Sequence, residues 1–234
     1  MPAPLSVAVA QPVCVPHDVE RNAGAHATLI RRAGARLVVF PELSMTGYHV
    51  DAPPVGLDDP DLAPVVAACA DAGAVALVGA PVACGGDTFL AMLRIDASGA
   101  SVAYRKRWLS LGEQARFAPG DDPSLLEVDG WRIGLGICKD TGTAAHVEGM
   151  AALGIDLYAA GVLHHQHELD EQDARGTRIA RACRSPVAFA SFAGRTGEGY
   201  DVAAGHSTIW QVDGQPVRRA GPRPGAVVSA VLHR

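Results

Sequence analysis

Strand-like and helix-like patterns alternate along this chain from one end to the other, with no linker, repeat or low-complexity tract between them. That alternation confines the chain to an α/β architecture: a mixed sheet, or two packed sheets with helices outside. Ser6–Ala10 alternates and is rich in Val and Ala, which predicts a strand. Asp18 caps a predicted helix with Val19, Ala23, Ala27, Ile30 and Ala33 on one stripe. Arg36–Phe40 reads as a short buried strand stopped by Pro41. Asp61–Ala72 reads as a helix and Ala74–Gly79 as a strand. Thr88–Ile95 and Ser101–Arg105 flank a turn, and Leu125–Val128 and Trp131–Ile137 flank Asp129-Gly130, a two-residue hairpin signal. Thr143–Leu153 reads as a helix closed by Gly154, followed by the strand Ile155–Ala160. Glu168–Arg184 is a polar helix with Leu169, Ile179 and Cys183 inward, and Val187–Phe192 is a strand. His206–Gln211 and Pro216–Arg219 flank Asp213-Gly214, read as a second two-residue hairpin. One domain over residues 1–234 is expected.

Composition narrows the function classes. Hydrophobic residues make up 48% of the chain, enough for a large core and too many for disorder. The net charge of −5 is a poor match to a nucleic-acid backbone, which needs a basic face. No stretch approaches the length of a membrane helix, and Met1–Val13 has neither a cationic lead nor a long apolar run, so no signal peptide is expected. Cys14, Cys69, Cys84, Cys138 and Cys183 are scattered and odd in number, which suits reduced thiols in a cytoplasm. Of the 20 basic residues only Lys106 and Lys139 are lysine. Codon bias accounts for the scarcity but not for where the two stand.

Three polar residues follow apolar strands: Glu42 in VVFPELSMTGY, Lys106 in AYRKRW and Cys138 in IGLGICKD. In α/β folds, sites gather beyond the carboxyl ends of strands. A helix begins a few residues after Cys138, and its positive N-terminal end is expected to lower the thiol pKa, with Lys139 and a nearby Lys106 pushing the same way. Alone, Cys138 reads first as an inert core thiol, and Glu42 as a solvated loop residue ahead of a buried carboxylate able to act as a base.

Taken together, Val38–Tyr48, Tyr104–Asp121 and Gly134–Asp140 resemble the three motif segments of the carbon–nitrogen hydrolase family, also called the nitrilase superfamily, in the family's order and with similar separations. Weaker likeness covers VAVAQPVCVPHDVERN, Arg178–Gly197 and Gly205–Gly214. The resemblance implies an α-β-β-α sandwich of two mixed sheets flanked by helices. It implies Glu42 as general base, Lys106 as cationic stabiliser, Cys138 as nucleophile and Glu113 as a second glutamate beside them. No metal or organic cofactor is implied. The expected partner is a small amide or carbamoyl compound, with a nitrile as the alternative, or a catalytically silent member acting as a binding module. A homodimer or larger homo-oligomer is also implied. Tyr48, Trp108, Lys139 and His164 are the expected substrate-binding residues. Trp108 and Lys139 stand where the family often has other residues, and Phe117 is a further wall candidate. His164, His165 and His167 cluster, but no spaced ligand set accompanies them, so a pocket rim is expected there rather than a metal centre. Gly79–Gly86 lacks a dinucleotide-binding fingerprint, and Ser207 lacks a nucleophile elbow.

Overall fold

Side-chain alternation along the strands sets the layers. In β1 (Leu5–Gln11), Val7 and Val9 point to one face, and Ala8 and Ala10 to the other. The computed structural model describes residues 3–121 and 125–234. After β1 come α1 (Val19–Ala33), β2 (Leu37–Val39), α2 (Ala63–Ala72), β3 (Val75–Cys84), β4 (Asp87–Asp96), β5 (Gly99–Arg105) and the one-turn α3 (Leu111–Gln114). The second half holds β6 (Leu125–Val128), β7 (Trp131–Ile137), α4 (Ala144–Leu153), β8 (Leu157–Val162), α5 (Leu169–Cys183) and β9 (Val187–Ser191). It closes with β10 (Ala193–Gly194), β11 (Ala203–Ala204), β12 (Thr208–Trp210), β13 (Pro216–Arg219) and β14 (Ala226–Leu232).

Two six-stranded mixed sheets result, ordered β14-β1-β2-β3-β4-β5 and β13-β12-β9-β8-β7-β6. Both contain parallel and antiparallel pairs. Val7, Val9, Leu37, Val39, Leu77, Ile133, Leu135 and Leu157 fill the space between the sheets. The opposite face of the first sheet packs under α1 and α2, and that of the second under α4 and α5. This is the expected α-β-β-α sandwich. Its layers follow from strands that are apolar on both faces, as sheets covered on both sides require.

Local chemistry sets the boundaries. The Asp18 carboxylate accepts from Arg21 N–H at 3.0 Å and caps α1, which ends at left-handed Gly34. Asp129 and Gly130 both have positive φ, 51° and 78°, the two-residue turn expected between β6 and β7. The second hairpin departs from expectation. Gly214 N–H donates to the Gln211 carbonyl at 2.9 Å, and Gln211 N–H to the Gln215 carbonyl at 2.9 Å. Gly214 takes the left-handed position at φ 82°, so three residues, 212–214, not two, form the turn inside the Gln211–Gln215 pair. No helix among the described residues is long and apolar enough to cross a membrane.

Candidate active site

Glu42 lies just past β2, and its backbone is pressed between the two sheets. A Cβ on Gly79 of β3 would stand 2.3 Å from Leu43 N, and one on Gly161 of β8 would stand 2.7 Å from Glu42 N. Both positions therefore require glycine. Neighbouring Leu43 adopts φ 48°, Tyr48 φ 56° and Cys138 φ 41°, left-handed values that L-residues with large side chains rarely take and that collect at functional sites.

Lys106 follows β5 and is 1% exposed. Its ammonium donates to Glu42 Oε1 and to Glu113 Oε1, both at 2.6 Å. Glu113 is aimed by a capping box: its Oε2 accepts from Ser110 N–H at 2.7 Å, while its own N–H donates to Ser110 Oγ at 3.4 Å. Two carboxylates thus share one buried ammonium. Burial opposes the charge on Lys106, but the charges of Glu42, Cys138 and Glu113 outweigh it and hold the ammonium form well above its ordinary range. Burial likewise raises Glu42 to about 7, against the lowering pull of Lys106. Glu42 Oε2 is buried and has no hydrogen-bond partner among the described residues, so it is free to accept a proton.

Cys138 closes β7. It is half-buried, and its thiol donates to the Leu163 carbonyl at 3.3 Å, beyond the end of β8. Its pKa is pushed up to about 12, first by burial and then by the Glu42 charge, with Lys106 opposing. The expectation of a lowered thiol pKa is therefore overturned. A five-residue 3-10 turn, Cys138–Gly142, separates the sulfur from the start of α4. The Lys139 ammonium is bound instead to the Leu109 carbonyl at 2.6 Å. Glu42 and Glu113 thus meet at the Lys106 ammonium, and the charges of Glu42 and Lys106 reach Cys138.

A profile of the family described as Carbon-nitrogen hydrolase matches residues 6–233 of this chain. The chain belongs to the carbon–nitrogen hydrolase family. A curated relative, the "hydrolase in pqqF 5′ region" of Pseudomonas protegens, is 29% identical over 208 residues, covering 84% of this chain and 71% of the relative. A superfamily protein of Xanthomonas campestris, solved with an arsenic adduct in its active site, superposes with a TM-score of 0.88 at 20% identity, covering 99% of this chain and 91% of its own. An amidase from Nesterenkonia sp. gives a TM-score of 0.80 at 23% identity, covering 97% and 90%. At those identities the two structures attest the shared fold.

In this carbon–nitrogen hydrolase a cavity of about 250 Å³ opens onto Glu113 and is walled by Tyr48, Tyr200, Ser110 and Glu198. Tyr48 and Tyr200 meet edge to face, with centroids 5.5 Å apart. Both phenols are raised first by burial, with the charges of Glu42 and Cys138 adding to it. Of the expected substrate-binding residues, Tyr48 lines this cavity. Trp108, Lys139 and His164 are not among the lining residues. Trp108 is half-buried and contributes its backbone N–H to Asp140 at 3.0 Å. His164 is buried, and burial lowers its pKa to about 4. Phe117 packs in the core between the sheets.

Sequence reasoning missed two members of this site. Asp140 is fully buried and accepts from Tyr104 Oη at 3.0 Å, Ile137 N–H at 2.9 Å and Trp108 N–H, so it ties the Lys106 loop to the Cys138 turn. Its signal was an acid three residues beyond an apolar strand. Tyr200 stacks on His165 at 4.1 Å, and His165 on His167 at 5.1 Å. Two of the three clustered histidines thus form an aromatic column beside the cavity. Nothing in the local sequence marks that column.

Proposed function

We propose that this carbon–nitrogen hydrolase cleaves a small linear amide or carbamoyl compound to a carboxylic acid and ammonia or an amine, through a thioester on Cys138. The observation that carries this reading is the Lys106 ammonium held at 2.6 Å by both Glu42 and Glu113, with the charges of Lys106 and Glu42 acting on the Cys138 thiol. The Nesterenkonia amidase offers a parallel, since a mutant of that protein was crystallised with butyramide.

Because burial keeps the proton on sulfur, Cys138 acts with a base rather than as a standing thiolate. Glu42 takes the thiol proton as Sγ attacks the carbonyl carbon. Lys106 Nζ and the Lys139 backbone N–H stabilise the oxyanion, and preorganised donors in a dry site act most strongly there. Glu113 holds the ammonium in place. As the C–N bond breaks, protonated Glu42 returns the proton to the leaving nitrogen. Water then gives a proton to Glu42 and attacks the thioester carbonyl, and the sulfur leaves with that proton. Every atom is accounted for by substrate and water.

The deciding experiment follows turnover of short amides, carbamoyl compounds and nitriles, with mass spectrometry of the protein during reaction. The parent accumulates an acyl adduct on Cys138, and Cys138→Ala and Cys138→Ser fall by about 10³-fold or more while keeping the parent circular dichroism. Full activity in either variant overturns the proposal. Turnover of nitriles with no turnover of amides replaces it by the nitrilase reading.

A further inference from the structure

Outside this centre, one group of side chains is arranged for a ligand. His17 Nε2 lies 2.9 Å from Asp51 Oδ1, and His49 Nδ1 lies 4.0 Å from the same oxygen. The two imidazole rings are 4.4 Å apart between centroids. Each of the three residues offers one donor atom, and these atoms lie within 4.8 Å of one another. Around a tetrahedral zinc-class ion, with bonds of about 2.0–2.2 Å, neighbouring donors stand roughly 3.4 Å apart. The separations to Asp51, 2.9 and 4.0 Å, lie on either side of that value, and with no pair beyond 4.8 Å, side-chain rotations of about 1 Å close the site. Two imidazoles and one carboxylate suit zinc, nickel or copper rather than magnesium or calcium.

The backbone holds these side chains together independently of any ion. His17 N–H donates to the Thr46 carbonyl at 3.1 Å. Fully buried Asn22 bonds Val15 N–H and carbonyl, at 2.7 and 2.8 Å, and the Met45 carbonyl at 2.9 Å. A Cβ on Gly47 would stand 3.1 Å from the Val15 carbonyl oxygen, so the two loops run in close contact. His17 itself is held at φ 60°. Such preorganisation removes part of the ordering cost of binding.

Position gives the site a consequence. His49 and Asp51 flank Val50, whose N–H donates to Glu198 Oε1 at 3.1 Å, and His49 follows Tyr48. Tyr48 and Glu198 both wall the cavity that opens onto Glu113. We propose that His17, His49 and Asp51 bind a divalent ion of the zinc class, which fastens the loop before α1 to the segment that carries the Tyr48 wall. The site does not depend on the amide chemistry proposed above.

The test uses the full chain with Cys14→Ser, Cys84→Ser and Cys138→Ala, which removes the exposed thiol and both half-buried ones as competing zinc ligands. Calorimetric titration with zinc chloride gives one equivalent bound with a Kd near the micromolar range. His49→Ala or Asp51→Asn on that background weakens binding by at least about tenfold, since each removes one of three ligands. Zinc raises the thermal midpoint of the background protein and leaves that of the His49→Ala form unchanged. Cobalt substitution gives the intense visible bands of a tetrahedral ion and loses them in Asp51→Asn. Binding only at millimolar zinc, or binding equal in the ligand variants, overturns the proposal. Circular dichroism of each variant matches the parent, because His17 and Asp51 are exposed and His49 is not in the core.

Discussion

At the scale of single residues, the site works by sharing charge under cover. Lys106 neutralises two carboxylates, and three buried charged groups without that sharing would be strongly destabilising. The raised Glu42 gives a pH signature. Below about 7 Glu42 is protonated and cannot accept the Cys138 proton, and above it the carboxylate is available. The acid limb of kcat/KM therefore has its midpoint near 7 rather than at the ordinary glutamate value, falling about tenfold per pH unit below it. A pH–rate profile with an amide substrate checks this, and a limb centred near 4.5 contradicts it. Compact charge also explains one of the two lysines. Arginine at position 106 would bring a planar fork into a space sized for one ammonium between two carboxylates.

At the scale of elements, strands were legible and what lies between them was not. β1, β3, β7, β8 and β9 read from apolar runs because burial on both faces leaves a continuous signal. β14 gave no such signal. It is an edge strand with Val231 60% exposed, and its pairing with β1 joins chain segments over two hundred positions apart. Glu42, Lys106, Cys138 and Glu113 were legible as motif positions, and the Ser110-to-Glu113 spacing carried the capping box that aims Glu113. Tyr200 was not, because its place depends on stacking with His165. The glycines that pinch Glu42 were invisible for a related reason: the need for them arises only when two sheets meet. Gly161→Ala therefore forces the Glu42 backbone aside. It costs about 1–3 kcal/mol in denaturant unfolding and lowers kcat about 10²-fold, with KM moving less. Unchanged kcat would show that the backbone yields elsewhere.

At the scale of the molecule, the proposed catalysis rests on the docking of two sheets. Glu42 and Lys106 hang from the first, and Cys138 and the Leu163 carbonyl from the second. Gln11, fully buried at the end of β1, joins them. Its Oε1 accepts from Ser207 N–H at 2.7 Å, next to β12, and its Nε2 donates to the Gly221 and Arg223 carbonyls at 3.0 and 2.9 Å. Gln11→Leu leaves the buried Ser207 donor unsatisfied and costs about 2–3 kcal/mol. Chemical denaturation reads that loss as a lower midpoint at unchanged slope, and an unshifted midpoint would relocate the joint.

The two lysines carry a practical corollary. Lys106 is sealed inside the sandwich, whereas Lys139 is exposed and adjoins the nucleophile. Coupling through side-chain amines, whether to a dye, a resin or a crosslinker, is thereby funnelled to the residue that follows Cys138. Immobilising this enzyme without blocking it calls for chemistry directed at its carboxylates, or for a lysine installed on the far side.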